Sequence, residues 1–274
     1  MTWTISSLLS QPPLPRLEAE LLLAHSLGLK RIDLYTKHER ALTEEDLIKF
    51  KELVRRRRQH EPIAYITGTQ PFVSLEFLVD QSVLIPRPET EELVEKTIDL
   101  AKDLEGPLAI ADIGTGSGCI AVSLAKFLPQ ARVIGIDSSA DAIEIAQKNA
   151  KHHQVEDRCS FFKGDLFEPL KEKMDIIVSN PPYIPTAEIE TLEPDVKGWE
   201  PRGALDGGQD GLDYIRKLIN EAPDHLSIDP YVGYLILEFG LEQSAEIKNL
   251  AKDKFGSLEI KKDQQGKDRF FIGS

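Results

Sequence analysis

Cysteine is scarce in this sequence: Cys119 and Cys159 are its only two. They are too few and too far apart for a disulfide framework or a zinc site of paired cysteines, so a reducing cytoplasm is expected and no metal is called for. Long apolar runs are missing too. No stretch of about 18 uncharged apolar residues occurs, and "MTWTISSLLSQPPLPR" at the start has no basic segment leading into an apolar one, which argues against membrane spanning and secretion. Neither a low-complexity tract nor an internal repeat is present. The adjacent His152-His153 lacks the spaced acidic or cysteine partners of a metal site and reads as solvated surface.

Basic excess is also lacking. The 33 Lys and Arg face 46 Asp and Glu, and residues 1–80 hold 11 of each sign, so the whole net charge of −13 lies after residue 80. An acidic second half repels phosphate backbones, which disfavours a nucleic-acid substrate held by counterion release.

What is present is an ordinary globular composition over 274 residues, enough for a medium domain with a smaller companion. The first stretch reads as short helices. In "PRLEAELLLAHSLGL" a helical period places Leu17, Leu21 and Ala24 on one face with Gly28 as the stop. In "LTEEDLIKFKELVRRRRQHEP", Thr43 and Asp46 form a capping-box pattern, Leu47, Phe50 and Val54 share a face, and Pro62 enforces an end. Arg55 to Arg58 stand at that helix end, either as cations complementing its dipole or as a docking patch for an acidic or nucleic-acid-bearing partner. The period then shortens towards 2 around Phe72, Phe77 and Val79, marking a hairpin-like connector. Expected boundaries are a helical domain over 1–67, a linker over 68–88 and a catalytic domain over 89–274.

After Pro107, apolar strands alternate with helices: "PLAIADIG", "CIAVSLAKFL", "ARVIGID", "ADAIEIAQKNAKHH", "CSFFKGD", "MDIIVSN". Near-continuously apolar strands in such alternation imply a mostly parallel sheet covered on both faces, and "LEIKKD" with "DRFFIG" would close it as an antiparallel edge. The fold class is therefore α/β.

The first of these strands runs through Asp112 into Gly114-Thr115-Gly116-Ser117-Gly118 and on into a helix. Bare glycine backbone and a helix N-terminus suit an adenine-nucleoside cofactor, and Asp137, at the end of the next strand, could accept two ribose hydroxyls. Asp112 is poorly placed for a pyrophosphate and well placed for the ammonium of a cofactor carrying an amino acid, as S-adenosylmethionine does. Asp165 and Leu166 end the third strand, where the carboxylate could meet the adenine amino group and the leucine the ring, or Asp165 could be a turn residue. The fourth strand ends in Asn180-Pro181-Pro182-Tyr183. Two prolines stiffen the exit; the Asn180 side-chain oxygen and the Pro181 carbonyl can accept the two protons of a planar NH2, and Tyr183 offers a face for a flat amide or base. Such a clamp suits methyl transfer to nitrogen by positioning, without a strong base.

The ordered set "DIGTGSG", "GID", "GDLF" and "SNPPY" resembles the amino-methylating class of S-adenosylmethionine-dependent methyltransferases. With "PIAYITG", "LIPRPETEELVE" and "EPRGALDGGQDGLDYIRKLI", nearly the whole chain resembles the family that methylates glutamine in peptide-chain release factors. The resemblance implies an N-terminal helical bundle joined by a β-hairpin to a Rossmann-like domain, S-adenosylmethionine as donor with S-adenosylhomocysteine as product, and the Gly-Gly-Gln glutamine as acceptor. It implies cofactor contacts from Gly114 to Gly118, Asp137, Leu166 and Asn180, with Asn180 to Tyr183 holding the amide and Arg87 and Glu89 lining the same crevice. Many relatives carry a larger aromatic near Leu166. Arg87 and Glu89 could instead be a surface ion pair. No membrane and no direct nucleic-acid substrate are expected, and a monomer is. Because an adenine amine presents the same NH2, an adenine methyltransferase acting on DNA or RNA stays open, as does a cofactor-binding scaffold without catalysis.

Overall fold

The computed structural model describes residues 3–228 and 233–274; Met1 and Thr2 of the expected helical domain lie outside the described residues. The chain divides into two compact units. The first runs to Thr69 and takes in Glu193–Trp199. Its helices are α1 (Ile5–Ser10), α2 (Arg16–Ser26), α3 (Asp33–Thr36), α4 (Glu44–Arg58) and α5 (Ile63–Thr67). The reciprocal cap of α4 is formed: Thr43 Oγ1 accepts from the Asp46 N–H at 3.1 Å, and Asp46 Oδ2 accepts from the Thr43 N–H at 3.0 Å.

Helix α2 buries a different face from the one its leucines suggest. Leu17 is 52% exposed, while Ala19, Glu20, Leu22 and Leu23 are inside with Ala24. Apolar residues sit on several sides of this helix, so periodicity alone does not choose. An ion network lies on the buried face, around Glu20. Glu20 accepts from Arg16 (2.7 Å), Arg31 (2.9 Å) and the Tyr35 hydroxyl (2.7 Å). Burial pushes this carboxyl up, but the three donors outweigh it and hold Glu20 down at about 2. The arginine run is likewise not one exposed patch. Arg56 pairs with buried Glu61, and Arg57 bridges Glu18 at 2.9 Å and Asp195 at 2.7 Å, which leaves Arg55 and Arg58 as the outer cations.

The second unit covers Gln70–Leu192 and Glu200–Ser274. It begins with a hairpin, β1 (Thr69–Phe72) and β2 (Leu75–Leu78), followed by α6 (Pro88–Lys102), β3 (Leu108–Ile113), α7 (Cys119–Phe127), β4 (Ala131–Asp137), α8 (Ala140–His152), β5 (Cys159–Lys163) and β6 (Ile176–Ser179). Then come α9 (Asp213–Glu221), β7 (Tyr234–Glu238), α10 (Ser244–Ala251), β8 (Leu258–Lys262) and β9 (Asp268–Gly273). Seven strands form one sheet in the order β5-β4-β3-β6-β7-β9-β8. The first five are parallel; β9 is antiparallel to both β7 and β8. This is a Rossmann-like fold with an antiparallel edge.

Successive strand residues feed opposite faces, as a two-residue period requires. Ile110, Val178 and Ile236 pack with α6, α7 and the hairpin phenylalanines, whereas Ile113, Ile177 and Leu237 pack under α9 and α10. Phe72 and Phe77 are buried edge to face at 5.9 Å, each worth roughly 1.5–3 kcal/mol of burial, so the hairpin is part of this unit's core. His153 is not the solvated surface expected of it: it stacks on Phe77 at 4.9 Å, and its Nε2 lies 2.8 Å from the Glu76 carbonyl. Among the described residues no helix is long and apolar enough to cross a membrane.

Strand order reverses beside β3, since β4 follows on one side and β6 on the other. Ligands of open parallel sheets bind outside the strand C-termini at such a reversal. Both loops singled out above leave the sheet there.

Candidate active site

A cavity of about 240 Å³ opens at this point. Its wall includes Gly114 and Gly116 after β3, Asp137 after β4, Asp165 and Leu166 after β5, and Asn180 to Pro182 after β6. Across it stand Ser82 to Leu84 and the segment around Pro201, Gly203 and Ala204.

The glycine loop is held by its immediate surroundings. The Gly114 and Thr115 N–H groups both donate to the Ile136 carbonyl, at 2.8 and 2.9 Å. Gly116 has φ +53°, a backbone that favours glycine, and its N–H donates to Asp137 Oδ2 at 2.9 Å. Gly118, at φ +77°, shares that reason and adds a second: a Cβ there would stand 3.0 Å from the Ala146 side chain of α8. Asp137 also accepts the Ser139 N–H through Oδ1 at 2.9 Å.

Some expected residues stand elsewhere. Asp112 is fully buried behind the loop instead of on the wall. Its Oδ2 accepts from Thr115 Oγ1 at 2.6 Å and from the Ala121 N–H at 3.1 Å, while Oδ1 has no partner among the described residues. Burial pushes this carboxyl up to about 7. Thr115 and Ser117 are buried with it, and Ser117 and Gly118 do not reach the cavity. Asp165 is exposed at the rim, and Leu166 holds φ +48°, an uncommon conformation for leucine, on the cavity wall.

The second loop is braced from afar. Ser179 Oγ donates to the Ile113 carbonyl at 2.6 Å, locking the ends of β6 and β3 together. Asn180 Nδ2 donates to Thr90 Oγ1 at 2.9 Å, and Thr90 Oγ1 in turn donates to Glu238 Oε2 at 2.8 Å. Asn180 Oδ1 and the Pro181 carbonyl have no hydrogen-bond partner among the described residues, so both acceptors remain available. Tyr183 is not part of the cavity wall. Its hydroxyl points inward and donates to Glu238 Oε1 at 3.2 Å, and burial pushes that hydroxyl well above the usual phenol range. Its carbonyl accepts from Gln243 Nε2 at 3.0 Å. Gly211, at φ +76°, lies so close that a Cβ would meet that carbonyl at 2.3 Å.

Arg87 and Glu89 also depart from expectation. Arg87 pairs with Glu200, whose other oxygen accepts the Ile85 N–H at 3.2 Å, so the ion pair ties together the two segments across the cavity. Glu89 faces a separate acidic cleft with Glu91, Glu92, Glu95 and Asp263. Glu200, Thr90, Glu238 and Gln243 were missed from sequence. For Thr90 and Glu200 the one signal is that "PRPET" and "EPRGALDGGQDG" combine charge, proline and glycine beyond what turns need; Glu238 and Gln243 carry none.

Residues 1–68 match the PrmC N-terminal domain family, and residues 95–192 the methyltransferase small domain family. The release factor glutamine methyltransferase of Geobacter sulfurreducens is 46% identical over 260 residues, covering 94% of this chain and 89% of that one. That of Rhodopirellula baltica is 42% identical over 263 residues, covering 93% and 88%. The T. thermophilus 16S rRNA N2 G1207 methyltransferase (RsmC), solved with AdoMet and guanosine, shares the fold with a TM-score of 0.54 at 20% identity, over 75% of this chain and 49% of that one.

Proposed function

This chain belongs to the release factor glutamine methyltransferase family, and from that premise we propose that it methylates the side-chain amide nitrogen of the Gly-Gly-Gln glutamine in peptide-chain release factors. S-adenosylmethionine supplies an electrophilic methyl group when bound and is left as S-adenosylhomocysteine.

The residues fit that donor. Gly114 and Gly116 offer bare backbone to the cavity, and Leu166 an apolar contact. Each Asp137 oxygen accepts one backbone N–H, and a carboxylate has about four lone-pair positions, which leaves capacity for ribose hydroxyls. Asp112, buried behind the loop, acts on the donor only indirectly, by holding Thr115 and the Ala121 N–H in place.

On the acceptor side the single most telling observation is the pair of open acceptors, Asn180 Oδ1 and the Pro181 carbonyl, on the wall shared with the glycine loop. A carboxamide nitrogen is a weak nucleophile because its lone pair is delocalised. Holding both of its protons raises its electron density and fixes its direction. Pro182 stiffens the clamp, and Tyr183 acts from behind through Glu238. Arg87 shapes the entrance through Glu200, and Glu89 is assigned no direct contact. The helical unit serves as the docking module for release factor, and the protein works as a cytoplasmic monomer without a nucleic-acid substrate.

Incubation with radiolabelled S-adenosylmethionine and release factor, its Gln→Ala loop variant, or DNA tests this reading. Label enters only the unmodified release factor. Equal labelling of the variant, or labelling of the DNA instead, overturns it.

A further inference from the structure

An asparagine side chain has two ends of nearly equal shape and opposite hydrogen-bonding sense. Only Oδ1 can accept a proton from a substrate NH2; with the amide turned over, Nδ2 would meet that NH2 donor to donor. Something must choose, and the prolines cannot, because they stiffen backbone and leave the side chain free to rotate.

We infer that Thr90 and Glu238 are positioning residues that fix which end of the Asn180 amide faces the cavity. This rests on the proposed glutamine methylation. A carboxylate can only accept. Both Glu238 oxygens are occupied by donors, Oε2 by the Thr90 hydroxyl at 2.8 Å and Oε1 by the Tyr183 hydroxyl at 3.2 Å. Thr90 has one hydrogen, and it is committed to Glu238. Towards Asn180 the threonine oxygen can therefore only accept, so it takes Nδ2, at 2.9 Å, and leaves Oδ1 for the substrate.

The relay is well insulated. Thr90 is 2% exposed and Glu238 1%, so water does not compete for either hydrogen bond. Three separate elements meet in it: the first turn of α6, the end of β7 and the loop after β6. Among the described residues no cation pairs directly with Glu238, and a buried carboxylate so placed is costly to keep, which a purely packing role would not require. The charged and titratable groups around Glu238 are Tyr183, Arg269 of β9, which favours its ionised form, Glu89 of α6, which opposes it, and Cys119 at the start of α7. Burial pushes Glu238 up to about 7, so the carboxylate sense of the relay is complete only above neutral pH.

The test is steady-state methyl transfer to release factor at alkaline pH by the full-length wild type, Thr90→Val, Thr90→Ser and Glu238→Gln. Cofactor affinity and melting temperature are measured on each. Thr90→Val keeps the shape and removes the hydroxyl; kcat falls roughly 100-fold, the scale of losing one preorganised polar contact, with KM for release factor and cofactor Kd nearly unchanged. Thr90→Ser restores most of kcat. Glu238→Gln, which can present either a donor or an acceptor to Thr90, falls by about tenfold, since the sense of the relay is no longer enforced. Thr90→Val at wild-type kcat, Thr90→Ser as impaired as Thr90→Val, or a loss confined to cofactor Kd each overturns the relay. Should Thr90→Val fail to fold, Glu238→Gln decides, and wild-type kcat in that variant overturns it as well. A wild type that labels no release factor overturns the functional reading and the relay together, whereas a labelling wild type with unimpaired variants removes the relay alone.

Discussion

The loops after β3 and β6 face one cavity but are held in opposite ways. Every hydrogen bond described for the glycine loop comes from residues no more than 32 positions away: Ile136, Asp137 and Asn149 brace it, with Asp112 beneath. The loop carrying Asn180 is braced by Thr90, 90 positions distant, by Glu238 at 55 from Tyr183 and by Gln243 at 60. A loop whose task is to leave backbone bare can be specified by glycine where it stands. A clamp whose task is to present a lone pair in one direction needs side chains from several elements to point it.

The contrast can be broken at either loop. The largest effect is expected from Asn180→Ala, which removes one of the two acceptors and lowers kcat by at least about 100-fold while cofactor Kd, followed by titration calorimetry, changes less than twofold. Equal losses in both would mean that the loops do not divide the work. Asp137→Ala is the mirror experiment. Losing the equivalent of one charge-assisted hydrogen bond, worth about 1.5–3 kcal/mol, raises cofactor Kd roughly 30-fold, with kcat at saturating cofactor little altered. Gly211→Ala probes the far bracing: its Cβ would intrude on the Tyr183 carbonyl, so kcat drops about tenfold with cofactor binding intact.

The smallest effect sharpens the comparison between units through two buried glutamates. Glu20 is held below the usual carboxylate range, so its contribution to stability is present above about pH 4.3 and is lost as pH falls through about 2. Glu238 is pushed up to about 7, so its contribution is present below about pH 4.3 and is lost as pH rises through 7. Thermal melts should show Glu20→Gln as destabilising at neutral pH and nearly harmless near pH 2. Glu238→Gln should be stabilising at pH 8 and neutral near pH 4. Matching pH dependence in the two variants would mean that the partners of these carboxyls have been misassigned.

The same distinction explains what could be read in the sequence. The parallel sheet, the antiparallel closing pair, the capping box at Thr43 and the glycine loop were legible because each is written in adjacent residues: a period, a cap, a run of glycines. The face of α2 was not, because leucines lie on several sides of it and the partners on its buried side, among them Arg31 and Tyr35 at Glu20, come from elsewhere in the chain. Asn180 and Pro181 stood out as chemistry, whereas Thr90 and Glu238 lie 90 and 58 positions from Asn180, with nothing beside them to announce a shared site. Arg87 invited pairing with its neighbour Glu89, and folding gave it Glu200. Tyr183 looked like an exposed platform because nothing in "NPPY" announces the buried carboxylate that takes its hydroxyl.

The most direct measurement is fragment mass spectrometry of release factor after incubation with the wild-type protein and S-adenosylmethionine. A single methyl group on the side-chain amide of the Gly-Gly-Gln glutamine, absent with Asn180→Ala, is the predicted result. A methyl group on another residue, or an unmodified release factor alongside methylated adenine in added nucleic acid, would contradict it.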